Sequence, residues 1–376
     1  MGSWAESESR LRVTGLPRWK VVVGALLPAA LTVAVCVTIG VQIDRTIGIS
    51  GSVLAVATFI LSQWQSSGPP SRRVVMIPKS RSPFSLTVHR GVADALAAFP
   101  SLTFTAEWPS GTLKDEVSWQ IERLQSRDVL SADAVIIIPG GDQERLWDAI
   151  ARMSRAGQFV VVVDTKPANS FFALRQAPRP CFVGSDFSMG GDLIGAEIVS
   201  RLAVDRGAHA VVLCGPDSSW PGMERSRGIV HRIALAGMND RVTCEALESW
   251  NRDAGAKLIV KTVLATLSEG CSTVVAFCGN DKILDAAERS LLLELRREDR
   301  GRVQLIGYDG ATSGSGDFLV RECSMGVATV DTKPKLQGAE VAAVLIDEHR
   351  GLLAGRGSRY IDPEIVLFEN IGAQMQ

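Results

Sequence analysis

The chain of 376 residues is 46% hydrophobic and 22% charged, with 40 Lys and Arg against 41 Asp and Glu for a formal net charge of −1. That length buries a sizeable core in one or two domains, and a near-neutral chain with scattered arginines offers no basic field for nucleic acid. Seven cysteines without a CxxC pair or a Cys/His ligand spacing exclude zinc-finger and thioredoxin-like schemes.

Residues 1–20 form a tail carrying Arg10, Arg12, Arg18 and Lys20. Residues 21–43 then run without a charge, "DRT" interrupts, and residues 47–64 are again uncharged. As helices these segments would be about 34 Å and about 27 Å long, against a hydrocarbon core of roughly 30 Å. The sequence therefore predicts two transmembrane helices within 21–64. A cleaved signal peptide fits poorly, because the run is too long and no small-residue cleavage site follows. Cys36 is preceded by Val35 where a lipoprotein signal needs a small residue. Positive residues flank both outer ends, with Arg72, Arg73, Lys79 and Arg81 after the second span. That pattern favours a helical hairpin with both ends cytoplasmic. A single-span arrangement would instead put the main domain outside the cell.

The Ser/Gly/Pro stretch 65–73 reads as a linker. After it, short β-rich apolar runs occur at 74–77, 134–138, 159–163, 181–183, 210–213, 273–277 and 303–306. Amphipathic helical patterns lie between them at 86–99, 113–127, 143–156, 190–204, 222–236, 254–268, 281–297 and 336–350. Continuous apolar strands alternating with helices predict α/β architecture with parallel sheets covered on both faces. The count suits two doubly wound sheets of five or six strands. Cysteines such as Cys214 in "VVLCGP" and Cys278 in "VVAFCGN" read as small buried residues in a reducing compartment.

Most strands end in small or polar loops: "PKSRSP", "PGGD", "DTKPA", "GSDFSMGG", "CGPDSSWPG", "CGND" and "GYDG". In open parallel sheets a ligand sits outside the carboxyl ends of the strands. The polar residues are concentrated at that edge.

Six stretches in this order resemble the type 1 periplasmic-binding-protein family, which includes sugar-binding proteins of ABC importers and the effector domains of lac-repressor-type regulators. They are "IPKSRSPFSLTVHRG", "ADAVIIIPGG…AGQFVVVVDT", "VGSDFSMGGDLIG", "MERSRGI", "FCGNDKILDA" and "IGYDG…GVATVDTKPKLQG". The resemblance covers residues 74–372. It implies two lobes joined by three crossovers, with a ligand between them. Lobe one would be about 74–185 plus 332–359, and lobe two about 186–331 plus 360–372. By similarity to the ribose-binding branch, Ser82, Phe84 and Ser85 stand where a polar side chain and two aromatics meet a sugar. Asp164 and Thr165 match an Asp-Arg pair whose Arg is absent here, with Lys166 beside them. Glu224-Arg225, Asn280-Asp281 and Asp309 match retained pairs, Thr332 stands at a Gln position, and Trp250 matches an aromatic.

These residue types suit a polyol. Asp and Asn bond vicinal hydroxyls, Arg supplies a fork of donors, and an aromatic face covers the C–H side of a sugar. Phe84 and Trp250 are the first candidates for that cover, with Phe172 and Trp220 behind them. Plain structural readings compete: Phe84 packed on the following helix, Trp220 on a lobe surface, Arg225 as a solvated charge beside Arg227, Asp164 and Asp309 as helix caps. Lys79, Arg81 and Arg225 would equally suit an anionic sugar, helped by helix N-termini.

No catalytic constellation appears. His89, His209, His231 and His349 are scattered, and neither a phosphate loop nor a G-x-S-x-G elbow is present. The reading is thus non-catalytic, with no metal or cofactor. Residues 1–73 lack the helix-turn-helix of a DNA-binding regulator. Two roles stay open: a membrane-anchored receptor delivering a sugar-like solute to an importer permease, with its domain outside, or a sensor of a small metabolite signalling through its hairpin to a partner.

Overall fold

The computed structural model describes residues 71–110, 115–141, 143–166, 170–217, 219–310, 320, 323–352 and 357–368. Residues 70–376 form one compact unit. The two predicted spans within 21–64 lie outside the described residues; among the described residues no helix is long and apolar enough to cross a membrane.

Lobe one is built on a six-stranded parallel sheet. In chain order its strands are β1 (Arg72–Ile77), β2 (Leu102–Ala106), β3 (Ala134–Ile137), β4 (Phe159–Val163), β5 (Cys181–Ser185) and β11 (Ser358–Ile361). Their spatial order is β11-β5-β4-β3-β1-β2. The inner strands β3 and β4 are apolar and buried at every position because both faces of the sheet are covered. In β1, Val74 and Met76 face one core, while Val75 and Ile77 face the other. The first core is roofed by α1 (Pro83–Leu96) and α10 (Pro334–His349), the second by α2 (Glu116–Gln125) and α4 (Glu144–Arg155). Each fully buried Val, Met or Ile of β1 contributes about 1.5–3 kcal/mol. A short α3 (Arg127–Leu130) and α5 (Ser170–Leu174) complete this lobe.

Lobe two repeats the plan. Its strands are β6 (His209–Cys214), β7 (Val242–Ala246), β8 (Val274–Phe277), β9 (Val303–Ile306), β10 (Gly326–Asp331) and β12 (Glu364–Leu367). They lie in the order β12-β10-β9-β8-β6-β7, parallel except for the β10–β12 pair. One face carries α6 (Phe187–Val204) and α7 (Trp220–Leu235), the other α8 (Arg252–Ser268) and α9 (Asp281–Glu294).

Glycine fixes the closest helix pair of each lobe. A Cβ on Gly338 of α10 would lie 2.2 Å from the Val88 carbonyl oxygen of α1, and one on Gly191 of α6 would lie 2.2 Å from the Arg225 carbonyl oxygen of α7. The backbones can meet only without a side chain there.

The chain crosses between the lobes three times: from β5 to α6, from β10 to α10, and from β11 to β12. These crossovers are tied together. The Asp186 amide donates to the Ile361 carbonyl at 3.1 Å, and Lys333 pairs with Glu364 at 3.2 Å. Lys333 adopts a left-handed φ of 52° immediately before Pro334 opens α10.

Candidate functional site

The carboxyl ends of both sheets carry the predicted polar loops. In lobe one, Ser82 caps α1: its backbone is extended, its oxygen accepts from the Ser85 amide at 3.2 Å, and Pro83 supplies the first turn. The cap accounts for the sharp change from β1 to helix, since an Oγ acceptor satisfies one orphan amide and a Pro at N1 needs none. Ser85 is fully buried, and its hydroxyl accepts from Ser82 Oγ. Half-buried Phe84 packs on the lobe-one core, and the Lys79 ammonium stands 5.7 Å from its ring centre.

Lys79 is paired with Asp164 at 3.2 Å. Asp164 follows the last residue of β4 and holds a φ of 74°, which projects it past the sheet edge. Thr165 beside it is buried. Lobe two repeats the device: Asp309 follows β9 with a φ of 97° and pairs with Arg225 of α7 at 3.3 Å. Positive φ at a non-glycine residue costs on the order of 1–3 kcal/mol and collects at ligand-contacting positions. Asp tolerates it better than most residues.

Arg225 is 7% exposed. Its Nη1 donates to the Gly279 carbonyl at 3.0 Å, and its guanidinium lies 4.0 Å from the Tyr308 ring centre and 5.3 Å from that of Trp250. Its Nε has no hydrogen-bond partner. Trp250 is fixed in turn, its indole N–H donating to Ser219 Oγ at 3.0 Å and its ring resting against Gly215, Gly222 and Gly279. Asn280 caps α9, accepting from the Ile283 amide at 2.9 Å, which leaves its amide nitrogen to donate elsewhere. Thr332 is buried, its hydroxyl 3.4 Å from the Asp309 carbonyl.

Electrostatics tie the two walls together. Desolvation raises the Asp309 carboxyl above the ordinary carboxylate range, opposed by Arg225; Asp164 and Lys79 of lobe one act on it as well. Asp309 is surrounded by protein yet remains open on one side, with 42% of its side chain reached by solvent, as at the floor of a cleft. Two opposed ion pairs, Lys79–Asp164 and Arg225–Asp309, thus come from different lobes.

Several sequence expectations need correction. Glu224, adjacent to Arg225 in sequence, pairs with Arg227 at 2.8 Å. Phe172 is buried in the lobe-one core and presents no face to the cleft. Asp281 is fully buried and accepts from Thr329 Oγ1 at 2.7 Å, a bond within lobe two. Cys278 is buried as expected, whereas Cys214 is only half-buried. Trp220 meets Phe182 of lobe one and Phe187 of lobe two at 5.7 and 5.5 Å between ring centres, and the Lys166 ammonium lies 4.9 Å from its ring. Lys166 also bonds the Tyr360 hydroxyl of β11. Glu116, the first residue of α2, was not singled out by sequence; burial raises its pKa while Lys79 opposes the shift. Its position at a helix start after a polar loop was the only available signal. Among the described residues no group of three or more His, Cys, Asp or Glu side chains converges to hold a metal ion.

No protein-family profile matches the chain, and no curated protein sequence matches it. Solved structures do match in fold. An ABC transporter periplasmic solute-binding protein from Actinobacillus succinogenes with bound D-allose superimposes with a TM-score of 0.63 at 16% identity, over 80% of this chain and 98% of that one. An ABC transporter solute-binding protein from Bacillus halodurans with bound myo-inositol gives 0.62 at 17% identity, over 82% and 98%. The fructose-binding periplasmic domain of a hybrid two-component system gives 0.63 at 17%, over 81% and 93%. The two lobes therefore have the type I periplasmic-binding-protein fold.

Proposed function

We propose that the cleft between the lobes binds a small polyhydroxylated solute, a monosaccharide or a sugar derivative, without catalysis. The observation that carries this reading is the pair of ion pairs, Lys79–Asp164 and Arg225–Asp309, offered from opposite lobes at the carboxyl ends of the two sheets. Carboxylates pinned at positive φ accept from hydroxyls, and the guanidinium and ammonium donate to them. Ser82, Thr165, Asn280 and Thr332 add hydroxyl and amide groups around the same edge, Ser85 lies buried behind Ser82 and holds it in place, and Phe84 and Trp250 supply apolar faces. The allose, inositol and fructose bound by proteins of the same fold support that ligand class.

Lys79 and Arg225 are each already neutralised by an aspartate, which favours an uncharged polyol over an anionic sugar at these two positions. A ligand touching both walls binds the closed arrangement better than the open one and so shifts the population toward closure. We further propose that residues 21–64 anchor this domain at the membrane. Closure would then be read by an importer permease, or by a signalling partner through the hairpin. Of these, the charge pattern around the spans supports sensing with a cytoplasmic domain, and the solute-binding proteins of ABC transporters support uptake from outside.

Titration calorimetry of residues 70–376 against neutral monosaccharides, inositol and sugar phosphates tests the ligand class. Neutral sugars should bind and their phosphates should bind more weakly. Saturable binding of the phosphates alone would overturn the neutral-polyol reading. Labelling of cysteines in intact cells with an impermeant reagent decides the side of the membrane.

A further inference from the structure

Two cysteines meet on the outer strands of lobe two. Strands β6 and β7 pair in parallel, Val212 facing Cys244 and Cys214 facing Ala246. Residues at these positions point to the same side of the sheet, so Cys214 and Cys244 are diagonal neighbours on the face covered by α7. Their thiols lie close enough to interact, and the amide of Gly215, next to Cys214, donates to Ser226 Oγ of α7 at 3.3 Å. Cys244 is exposed, Cys214 is half-buried, and both are free. β7 is the edge of its sheet, with a single neighbouring strand to hold it.

We propose that Cys214 and Cys244 are a redox-active pair that closes to a reversible disulfide when a hydroperoxide reaches it. The chemistry of the two thiols differs in the required sense. Contact with Cys244 pulls the Cys214 thiol down to about 7, and the same contact pushes Cys244 up. A thiolate is the nucleophile in thiol oxidation, so Cys214 reacts first and Cys244 resolves.

The Cys214 thiolate attacks one peroxide oxygen; the S–O bond forms, the O–O bond breaks, and the departing hydroxide takes a proton to become water. The Cys244 sulfur then attacks the sulfenic sulfur of Cys214. The S–S bond forms, the S–O bond breaks, and the hydroxide leaves with the Cys244 proton as a second water. Two thiols lose two electrons and two protons to one hydroperoxide. The register offset requires β7 to bend toward β6, and a bond closed under strain is readily reduced again. The pair sits beside the turn of α7 that carries Arg225 and Ser226, so oxidation acts next to the lobe-two wall of the cleft.

The test uses the full chain, fully reduced, treated with one equivalent of hydrogen peroxide, acid-quenched, alkylated after denaturation and mapped by mass spectrometry. The expected result is loss of two free thiols, a cross-linked pair of peptides containing Cys214 and Cys244, and recovery of both thiols with dithiothreitol. Cys244→Ser should instead leave Cys214 trapped by dimedone as a sulfenic acid, and Cys214→Ser should leave Cys244 unoxidised. Retention of both thiols in the native chain, or their oxidation without a Cys214–Cys244 cross-link, would overturn the proposal even where a variant fails to fold.

Discussion

Replacing Asp309 with Asn should move ligand affinity and stability of the empty protein in opposite directions. Asn keeps the shape and accepts the positive φ of this position, so the backbone is not newly strained. It removes the charge that accepts from a ligand hydroxyl, an interaction worth about 1.5–3 kcal/mol, which predicts about 10- to 150-fold weaker binding. The stability effect follows from linkage. Desolvation raises the folded-state pKa of Asp309 above its unfolded value. The folded protein therefore holds that proton more tightly, and the stabilisation is complete below the unfolded value and lost as pH rises through the folded one. At neutral pH the ionised carboxylate is a net cost that Asn relieves. Because the side chain is 42% solvent-reached, screening limits the gain to about 1 kcal/mol or less. For residues 70–376 that corresponds to a rise in melting temperature of at most about 2 °C. Calorimetric titration and thermal melts of both proteins, from acidic to neutral pH, check the two halves separately. Unchanged affinity would remove Asp309 from the site. A stability difference growing in favour of the native residue as pH rises would refute the desolvation argument.

Asn280→Ala should lower stability by about 1 kcal/mol through loss of the α9 cap and weaken binding about tenfold; Asn280→Asp keeps the cap acceptor and should restore the melt but not the titration. Gly338→Ala should cost about 2–4 kcal/mol in chemical denaturation, because its Cβ would lie 2.2 Å from the Val88 carbonyl oxygen, whereas Gly301→Ala meets nothing within 4 Å and should be neutral. Small-angle scattering of residues 70–376 should show a smaller radius of gyration on ligand saturation; no change, with an open empty state established by a distance measurement, would count against hinge closure. Full-length chain should stay with membranes through a carbonate wash, and its release without detergent would remove the anchor.

Sequence by itself determined the layered architecture, because burial on both faces writes itself into a strand as an uninterrupted apolar run. Strands β1, β3, β4, β6, β8 and β9 carry that mark and fall within a few residues of their expected places. Edge strands do not. β2, β7, β11 and β12 are half-exposed or alternate, and read as loops until a neighbouring strand supplies their hydrogen bonds. The helix α1 begins three residues earlier than its apolar periodicity suggests because Ser82 and Pro83 start it, a signal present in "SPF" but masked by its polarity. Asp164 and Asp309 were legible as polar ends of apolar runs. Their partners were not: Lys79 lies 85 residues from Asp164 along the chain, and Lys166 lies 194 residues from the Tyr360 hydroxyl it bonds. Nor could sequence pair Cys214 with Cys244, a contact set by the register of two parallel strands separated by a whole helix. Local periodicity records how much of each residue is buried and on which side, whereas which charge meets which depends on strand order, a property of the assembled sheets alone.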